Sequence, residues 1–507
     1  MDTRQRWTLT AVCIATFMLL LDITVVNVAL PAISADLDTE FSDLQWVVDA
    51  YALTLAALLL TAGSLADLFG RRLVFVVGLG IFTAASLACG LSGSPDALSF
   101  SRAAQGIGGA FMFATALALL ASNFAGRERG TAFGIWGAVT GASVAVGPLA
   151  GGVLTQSFGW EFIFIVNVPI GIAAIVLALA KVPESKLPAE AGRPRLDWPG
   201  VLSFSAALFL LIFALIRGND EGWESTLILA MLVGAVVLLV LFVRIERRTA
   251  SPMLDLSLFR RPAFVGASVA AFVLSASMFS MFLYLTLYVQ NVLGYSALEA
   301  GLRFLPITLL SFLVAPVAGK LAERLGIRYF LSGGLALVGI GLLLMGGLDP
   351  GDGWTALLAG FLIAGGGIGL VNPPLATAAI GVVEPQRAGM ASGINSTFRQ
   401  VGIATGIAGL GAIFQHVVDG RAPEFGRAVA AAGGKVPGGQ DAAFSDFISF
   451  GVYRPIAERL GGGVEQAGRE AFLAGLNDIL LYAGLLALVG AVLSLVLVRP
   501  RDFVAHG

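Results

Sequence analysis

Long apolar stretches separated by short polar breaks run along the whole chain of 507 residues. A helix needs about 20 mostly apolar residues to cross the hydrocarbon core of a bilayer. Measured against that length, the pattern predicts fourteen membrane-spanning helices, at 9–33, 44–69, 73–93, 97–123, 130–155, 160–181, 197–216, 224–243, 263–290, 298–319, 329–348, 354–380, 388–415 and 473–498. The breaks hold the charges and most of the prolines, as helix-ending segments do. We therefore expect an all-α polytopic membrane protein.

The composition agrees with the apolar pattern. Hydrophobic residues make up 57% of the chain and charged residues only 13%, and the mean hydropathy is +0.87. Soluble globular domains carry about 25% charged residues, so a water-soluble class is excluded. The first apolar stretch is longer than the core of a secretory signal, and we expect it to remain as the first span. Cys13 and Cys89 fall inside apolar stretches and are expected to be buried thiols, not a disulfide.

Positive charge is concentrated in alternate breaks. Lys and Arg cluster at the N-terminus and in the breaks on the same predicted side, whereas the short breaks on the other side hold mainly acids. Cytoplasmic loops are enriched in Lys and Arg. With an even number of spans, this predicts a multi-pass protein of the plasma membrane with both termini in the cytoplasm.

An internal repeat organises the spans. The stretch "GSLADLFGRR" at 63–72 returns as "GKLAERLGIR" at 319–328, 256 positions later, and "RGTAFGI" at 129–135 is echoed by "RAGMASGI" at 387–394. Parallel repeats of this kind build transporters, in which one half rocks against the other around a site near the bilayer midplane. The repeat predicts two pseudo-symmetric six-helix bundles with an inserted helix pair, although a duplicated scaffold without transport has the same pattern.

The repeat also suggests domain boundaries. We expect an N-terminal bundle over 1–182, a cytoplasmic linker with inserted spans 7 and 8 over 183–250, and a C-terminal bundle over 251–507. The last bundle includes an extracytoplasmic loop at 416–472, where "AFSDFISFGVYRPI" predicts a short amphipathic helix. A surface helix hairpin is favoured there over a lid on the cavity.

The charged turn after span 2 is a candidate gate. Gly63 and Gly70 permit close helix approach, and Arg71 and Arg72 would anchor the turn at the cytoplasmic face. Asp67 lies near a helix C-terminus, where the helix dipole disfavours an anion, so it needs a cationic partner. A partner in the other half would form a breakable contact, whereas the simpler interpretation is a basic loop that sets topology.

Ionisable residues inside predicted spans are candidates for proton coupling. Asp22 lies slightly past the middle of span 1, and Arg102 in span 4 reaches a similar depth. An ionised acid there must be paired, hydrated or protonated, so the pair is either a proton relay or a static ion pair. Asp49 near the outer end of span 2 is either a second proton site or an interfacial acid. The same two roles are open to Glu161, for which the interfacial one is favoured.

Two further groups of residues suggest motion and substrate contact. Small residues and a proline in "GASVAVGPLAGG" predict a flexible, closely packed span, and the positions are Gly141, Gly147, Pro148, Gly151 and Gly152. Polar and aromatic residues within spans are candidates for a substrate cavity: Asn27, Gln105, Tyr284, Tyr288, Gln290, Asn395 and Arg399. For Arg399, as for Arg303, anion contact and helix pairing both stay open.

The sequence argues against several other classes. No G-x-x-x-x-G-K-[ST] stretch is present, which excludes an ATP-driven pump of the P-loop type. "GGGIGLVNPP" at 365–374 lies inside a span and lacks the strand–helix context of a dinucleotide site. We expect no enzyme activity, cofactor, metal site or nucleic-acid partner. The expected partners are protons, a small-molecule substrate and the lipid bilayer, and the protein is expected to be monomeric.

Several motifs together resemble one family. "GSLADLFGRR" is similar to the loop motif between spans 2 and 3 of the major facilitator superfamily, and the resemblance narrows to its fourteen-span drug:proton antiporter branch through "LDITVVNVALP" (21–31), "RAAQGIGGA" (102–110) and "GASVAVGPLAGG" (141–152). The resemblance implies export of hydrophobic or cationic drug-like compounds in exchange for protons by alternating access. A proton-coupled nutrient importer on the same fold and a non-transporting scaffold are the alternatives.

Overall fold

The computed structural model describes residues 1–38, 41–124, 126–184, 197–249, 252–384, 387–434, 441–499 and 502–503, and within these ranges the chain is helical with no β-strand. The first half contains α1 (Thr3–Leu37), α2 (Phe41–Phe69), α3 (Arg71–Gly90), α4 (Pro95–Asn123), α5 (Gly126–Phe158), α6 (Phe162–Ile165) and α7 (Asn167–Lys181). The inserted pair is α8 (Trp198–Glu221) and α9 (Thr226–Glu246).

The second half contains α10 (Pro262–Leu274), α11 (Ser280–Leu287), α12 (Ala297–Leu325), α13 (Ile327–Met345), α14 (Leu358–Gly381), α15 (Ala388–Ala431), α16 (Asp441–Ser449), α17 (Arg454–Leu460) and α18 (Gly462–Leu497). The π-helical segment Ser275–Phe279 joins α10 to α11, and a second π-helical segment, Tyr288–Val292, extends α11, so Pro262–Val292 is one continuous span. Caps fix several helix starts. Ser94 precedes Pro95 at the start of α4, and Ser296 and Glu299 form a capping box at the start of α12.

The predicted fold class is confirmed. Thirteen helices in the described residues are long and apolar enough to cross a membrane, and they coincide with thirteen of the fourteen predicted spans. The remaining predicted span, 130–155, lies within the 33-residue helix α5. α6 and α7 together make one span, as the unbroken apolar stretch at 160–181 predicts.

Each half of the molecule has its own hydrophobic core. One core joins buried side chains of α1–α5 and α7, with a few contributions from α14 and α15, and the other joins side chains of α10–α18. The halves meet where α5 packs on α12 and where α2 packs on α15. α8 packs on α2 and α15, and α9 lies outside it with most of its apolar surface exposed. This arrangement fits two bundles and an added pair.

The N-terminus and the last described residues, 502–503, lie at one face of the bundle. The N-terminal ammonium group pairs with Glu128 at the start of α5 at 2.5 Å, and Asp502 accepts a hydrogen bond from the backbone N–H of Ala263 at the start of α10. The α2–α3 turn, the start of α15 and the end of α18 share this face. We call it the terminal face.

The segment 416–472 differs from the expectation of a separate loop. α15 runs 44 residues to Ala431, well beyond the predicted end of its span at 415, because Val418, Ala422, Phe425 and Val429 continue its buried face. α18 starts at Gly462, before the predicted 473. Between them, α16 packs on this extension and α17 packs on α18, and Tyr453, just before α17, lies edge-on to Phe425. The predicted amphipathic helix at 443–456 is divided by a turn at Gly451, whose φ is +68°.

Candidate functional site

A buried ion pair lies inside the N-terminal bundle. Arg102 on α4 donates to Asp22 on α1 at 2.5 Å, and both residues are 1% exposed. The other oxygen of Asp22 accepts from the amides of Gln105 at 2.8 Å and Asn167 at 3.0 Å. Both oxygens of the carboxylate thus accept hydrogen bonds, which offsets the cost of burying its charge.

Arg102 also connects this pair to α2. Its Nε donates to the carbonyl of Val47 at 3.0 Å, and its guanidinium lies 4.2 Å from the centre of the Tyr51 ring. Gln105 in turn donates to Ser86 on α3 at 2.8 Å. The hydrogen-bonded cluster therefore joins α1, α2, α3, α4 and α7. A change in the protonation of Asp22 would act on all five helices.

A contact between α2 and α15 closes the terminal face. Asp67 accepts hydrogen bonds from the backbone N–H groups of Gly389 and Met390, at 2.9 and 2.8 Å, in the first turn of α15. Arg71 pairs with the same carboxylate at 3.1 Å. A helix N-terminus attracts an anion, so Asp67 is placed where the first turn of α15 stabilises it. Gly63 lies against the carbonyl of Gly389, and a Cβ at either glycine would collide with the other backbone.

The second half repeats this contact. Gly319 of "GKLAERLGIR" lies against the carbonyl of Gly130, and a Cβ on Gly134 would lie 2.8 Å from the Cα of Pro316. The two copies of the charged turn thus each pack on the echo stretch of the opposite half. We call the pair of contacts, Gly63–Gly389 and Gly319–Gly130, the terminal latch.

The rest of the charged turn has local partners. Gly70 has φ +110°, a conformation that disfavours any side chain. Arg72 lies 3.7 Å from Glu184 and donates to the carbonyl of Val182 at 3.2 Å. Arg71 is only 5% exposed and pairs with Asp67, and its expected role of anchoring the turn at the cytoplasmic face stays a prediction.

A segment after α9 covers the latch. Ser64 donates to the carbonyl of Met253 at 3.2 Å, and Arg387 pairs with Asp255 at 2.6 Å. Burial tends to raise the pKa of the Asp255 carboxyl, but hydrogen bonds from Ser257 and Arg387 outweigh it and hold that pKa below its ordinary value of 3.8. The connection from the inserted pair is thereby held against both α2 and the start of α15.

The glycine-rich stretch of α5 makes close contacts with α1. Gly147 lies directly against the side chain of Thr24, and a Cβ on Gly151 would lie 3.0 Å from the carbonyl oxygen of Val25. Gly141 faces Ser311 across the boundary between the halves, with 3.4 Å from a built Cβ to Oγ. No described atom lies within 4 Å of a Cβ built at Gly152. The side chain of Pro148 lies outside the described residues.

A small cavity lies between the halves. Residues of α5 line one side and residues of α11, α12, α14 and the first π-helical segment line the other: Thr140, Gly141, Phe279, Phe282, Ile307, Thr308, Ser311, Ile368 and Asn372. π-helical segments occur often at functional sites, and this one aims Phe279 at the cavity. The lining combines two aromatic rings with a few hydroxyl and amide groups. The cavity measures about 20 Å³, room for about one water molecule, so it must widen before it holds a drug-sized ligand.

Arg399 lies behind this cavity. It donates to the amide oxygen of Asn372 at 3.0 Å and is 7% exposed. Asn395, one turn earlier on α15, is 2% exposed, and neither polar atom of its amide has a partner among the described residues. The structure therefore brings Arg399 and Asn372 together beside the cavity.

Other predicted cavity residues lie elsewhere. Tyr284 and Tyr288 are buried in the C-terminal core, where their hydroxyls donate to the carbonyls of Ile407 and Asp352 at 3.3 Å each. Gln290 is half-buried in the second π-helical segment. Asp49 is half-buried two turns into α2, and the side chain of Asn27 lies outside the described residues. Their substrate and proton roles stay predictions.

A model described as Major Facilitator Superfamily matches residues 12–407. The chain belongs to the Major Facilitator Superfamily. It is 38% identical over 414 residues to the multidrug resistance protein Stp of Mycobacterium tuberculosis, which covers 82% of this chain and 76% of that protein. It is 34% identical to the tetracenomycin C resistance and export protein of Streptomyces glaucescens, over 96% of this chain and 90% of that one.

A solved structure of the superfamily supports the fold. The human organic anion transporter MFSD10 aligns with a TM-score of 0.65 over 97% of this chain and 100% of that one, at 16% sequence identity. Identity this low shows the shared fold and nothing about the transported compound. The family and its relatives make this chain a multi-pass membrane transporter and not an enzyme.

Sequence reasoning missed three polar residues of the Asp22 cluster and the cavity. Asn167 and Ser86 complete the cluster around Asp22, and Asn372 joins Arg399 to the cavity. Each is a polar residue within an apolar span, and intramembrane polar residues are functional candidates by default. That signal was available for Asn372 within "GGGIGLVNPP", which was considered only as a nucleotide loop.

Proposed function

We propose that the protein is a secondary active exporter that expels drug-like compounds from the cell in exchange for protons. One relative is a multidrug resistance protein and another a tetracenomycin C resistance and export protein, which supports export. The observation that carries proton coupling is the buried pair of Asp22 and Arg102, because a carboxylate held at that depth is the natural proton acceptor of the N-terminal bundle.

Coupling requires that the proton and the helices respond to each other. A proton on Asp22 removes the negative charge that holds Arg102, and Arg102 is bonded to α2 through Val47. The other end of α2 carries Asp67, which holds α15 in the latch. We infer that protonation loosens α2 at one end and thereby favours release of the latch at the other.

The latch supplies the alternating step. It joins the two halves at the terminal face through two symmetric glycine contacts, so opening that face requires both contacts to separate. We propose that the terminal face is cytoplasmic, as the distribution of positive charge predicts. The structure would then represent a state closed to the cytoplasm, and the halves 1–182 and 251–507 would move as bundles around the cavity.

Asp22→Asn tests the proton assignment. The amide keeps the size of the side chain but cannot exchange a proton, so drug uptake driven by a pH gradient in inside-out vesicles is expected to fall at least tenfold. Exchange of drug down its own gradient is expected to persist, because it needs no proton. Fluorescence of an accumulated dye and of a pH indicator would be recorded together.

Asp96→Asn is the matched control, because Asp96 is exposed in the first turn of α4. Gradient-driven uptake should be unchanged in this variant. Undiminished uptake by Asp22→Asn would refute the assignment, and movement of the compound in the same direction as the protons would instead indicate an importer. We further propose the plasma membrane as the location and a monomer as the working unit.

A further inference from the structure

Arg399 is a buried cation without a counter-ion. Three arginines are buried in the described part of the chain, and two of them, Arg71 and Arg102, are paired with carboxylates at 3.1 and 2.5 Å. Within the described ranges, no Asp or Glu oxygen lies within 4.0 Å of Arg399. Its one hydrogen-bond acceptor there is the neutral amide of Asn372, and its Nε has no acceptor.

The positive charge is one hydrogen bond away from the cavity. Asn372 accepts from Arg399 and also lines the cavity. Ser311 lines the same space, is 2% exposed and has an unpartnered hydroxyl in the described structure. A free hydroxyl and an amide thus face a space that Phe279 and Phe282 make apolar on one side, and the buried cation lies behind the amide.

The acid of the opposite half does not balance this charge. Asp22 is engaged by Arg102, Gln105 and Asn167 within the N-terminal bundle. A buried charge without a partner is costly, because the desolvation penalty is not repaid by an attractive contact. A ligand that carried a negative charge into the cavity would repay it, whereas a cationic ligand would add repulsion from Arg399.

We propose that this space, once widened by separation of the halves, carries organic anions, with an aromatic body against Phe279 and Phe282 and an acidic group drawn to Arg399. The proposal rests on the export function above and narrows its substrate class, which the sequence had left as hydrophobic or cationic. A guanidinium suits this task because its planar N–H fork binds a carboxylate or sulfonate with two parallel hydrogen bonds. Asn372 holds the guanidinium until the anion arrives.

Two probes with one body separate anion from cation transport. 2-Naphthoate and (2-naphthylmethyl)trimethylammonium share the aromatic rings and differ in charge. Each would be measured for gradient-driven accumulation in proteoliposomes and for competition against a transported dye. We expect the wild-type protein to prefer the anion at least tenfold. A preference for the cation, or no preference, would overturn the inference.

Substitutions at Arg399 test the assigned residue. Arg399→Gln can still donate to Asn372 but lacks the charge. We expect anion transport to fall at least tenfold and cation transport to rise, because the repulsion from the guanidinium is removed. Arg399→Lys keeps the charge and is expected to retain most anion transport. If Arg399→Gln leaves anion transport unchanged, the arginine only pairs α14 with α15 and the inference fails.

Asn372→Asp offers a second variant that keeps the arginine in place. The new carboxylate would pair with Arg399 and neutralise it, so the preference for the anion should disappear as it does in Arg399→Gln. Retained preference would contradict the inference. Monodisperse elution of each variant in detergent excludes misfolding. A wild-type protein that moves dyes but no anion disproves only this inference, whereas one that moves no compound at all disproves the export function.

Discussion

At the scale of single residues, the buried charges of this protein are of two kinds. Asp22 and Asp67 each have an arginine partner and further donors, so their burial is compensated locally. Arg399 is buried without such compensation. The compensated acids hold helices together, whereas the uncompensated cation would attract a negatively charged ligand in the cavity.

A residue outside the membrane gives a prediction of pH dependence. The pKa of Asp255 is held below its ordinary value of 3.8, since the hydrogen bonds from Ser257 and Arg387 outweigh the effect of burial. A carboxyl with a lowered pKa stabilises the fold above its ordinary pKa and loses that contribution as the pH falls toward the lower folded value. Asp255→Asn should therefore lower the free energy of unfolding at pH 7. The loss should not exceed ~1 kcal/mol, because the pair with Arg387 is partly exposed to solvent.

Thermal unfolding of the purified protein and of Asp255→Asn from pH 7 to pH 3 measures this difference. The difference between the two melting temperatures should begin to shrink as the pH falls below about 4, the ordinary pKa of the carboxyl, and should vanish once the pH passes the lower folded value. A difference that stays constant over the whole range would show that the carboxylate charge contributes nothing.

At the scale of helices, the two halves meet through small residues placed by the repeat. Gly63 meets Gly389 where α2 packs on α15, and Gly319 meets Gly130 where α12 packs on α5. In a membrane, helices associate mainly by close packing, and glycine allows backbones to approach. The two charged turns occur at equivalent places because each one closes half of the same latch.

Gly63→Ala should open this latch. The added methyl group collides with the carbonyl of Gly389, and overpacking of this kind costs about 1–3 kcal/mol in the closed state. Spin labels on the exposed positions Leu73 and Leu325, one in each half near the terminal face, should show a larger share of long distances than in the wild type.

The control for this prediction is Gly80→Ala on α3, where no described atom lies within 4 Å of a built Cβ. Its distance distribution should match the wild type. An identical distribution for Gly63→Ala would mean that the glycine contact does not hold the face closed.

At the scale of the whole molecule, the proposed substrate and the proposed proton site together set the charge moved per cycle. A proton that enters while a monovalent anion leaves transfers two positive charges inward, whereas exchange of a proton for a monovalent cation transfers none. Each elementary charge gains ~2.3 kcal/mol from 100 mV of membrane potential. The membrane potential would then drive anion export even without a pH gradient.

Proteoliposomes with a potassium gradient and valinomycin test this at equal pH on both sides. We expect 2-naphthoate transport to rise at least tenfold when the potential has the sign that pulls positive charge in the direction of proton entry, and to fall when the sign is reversed. Transport of 2-naphthoate that ignores the potential would indicate that the anion moves together with a proton, and it would contradict the proposed exchange.

The sequence by itself determined the spans, the repeat and the family. These depend on long apolar stretches and on local motifs, which are set by the length of a helix in lipid and by backbone needs along one helix. Polar residues inside the spans were also visible in the sequence, which assigned Asp22 and Arg102 to proton coupling and Gln105 to a substrate cavity. The structure places all three in one hydrogen-bonded cluster.

Only the tertiary structure decided which residues meet. Asn167 lies 145 positions from Asp22, and Gly389 lies 322 positions from Asp67, so no spacing along the chain could have paired them. The structure also showed that α15 continues to Ala431, because its buried face has a partner in α16 and α18. Above all, the described part of the structure places no carboxylate beside Arg399. Whether a buried side chain has a partner depends on its surroundings in three dimensions.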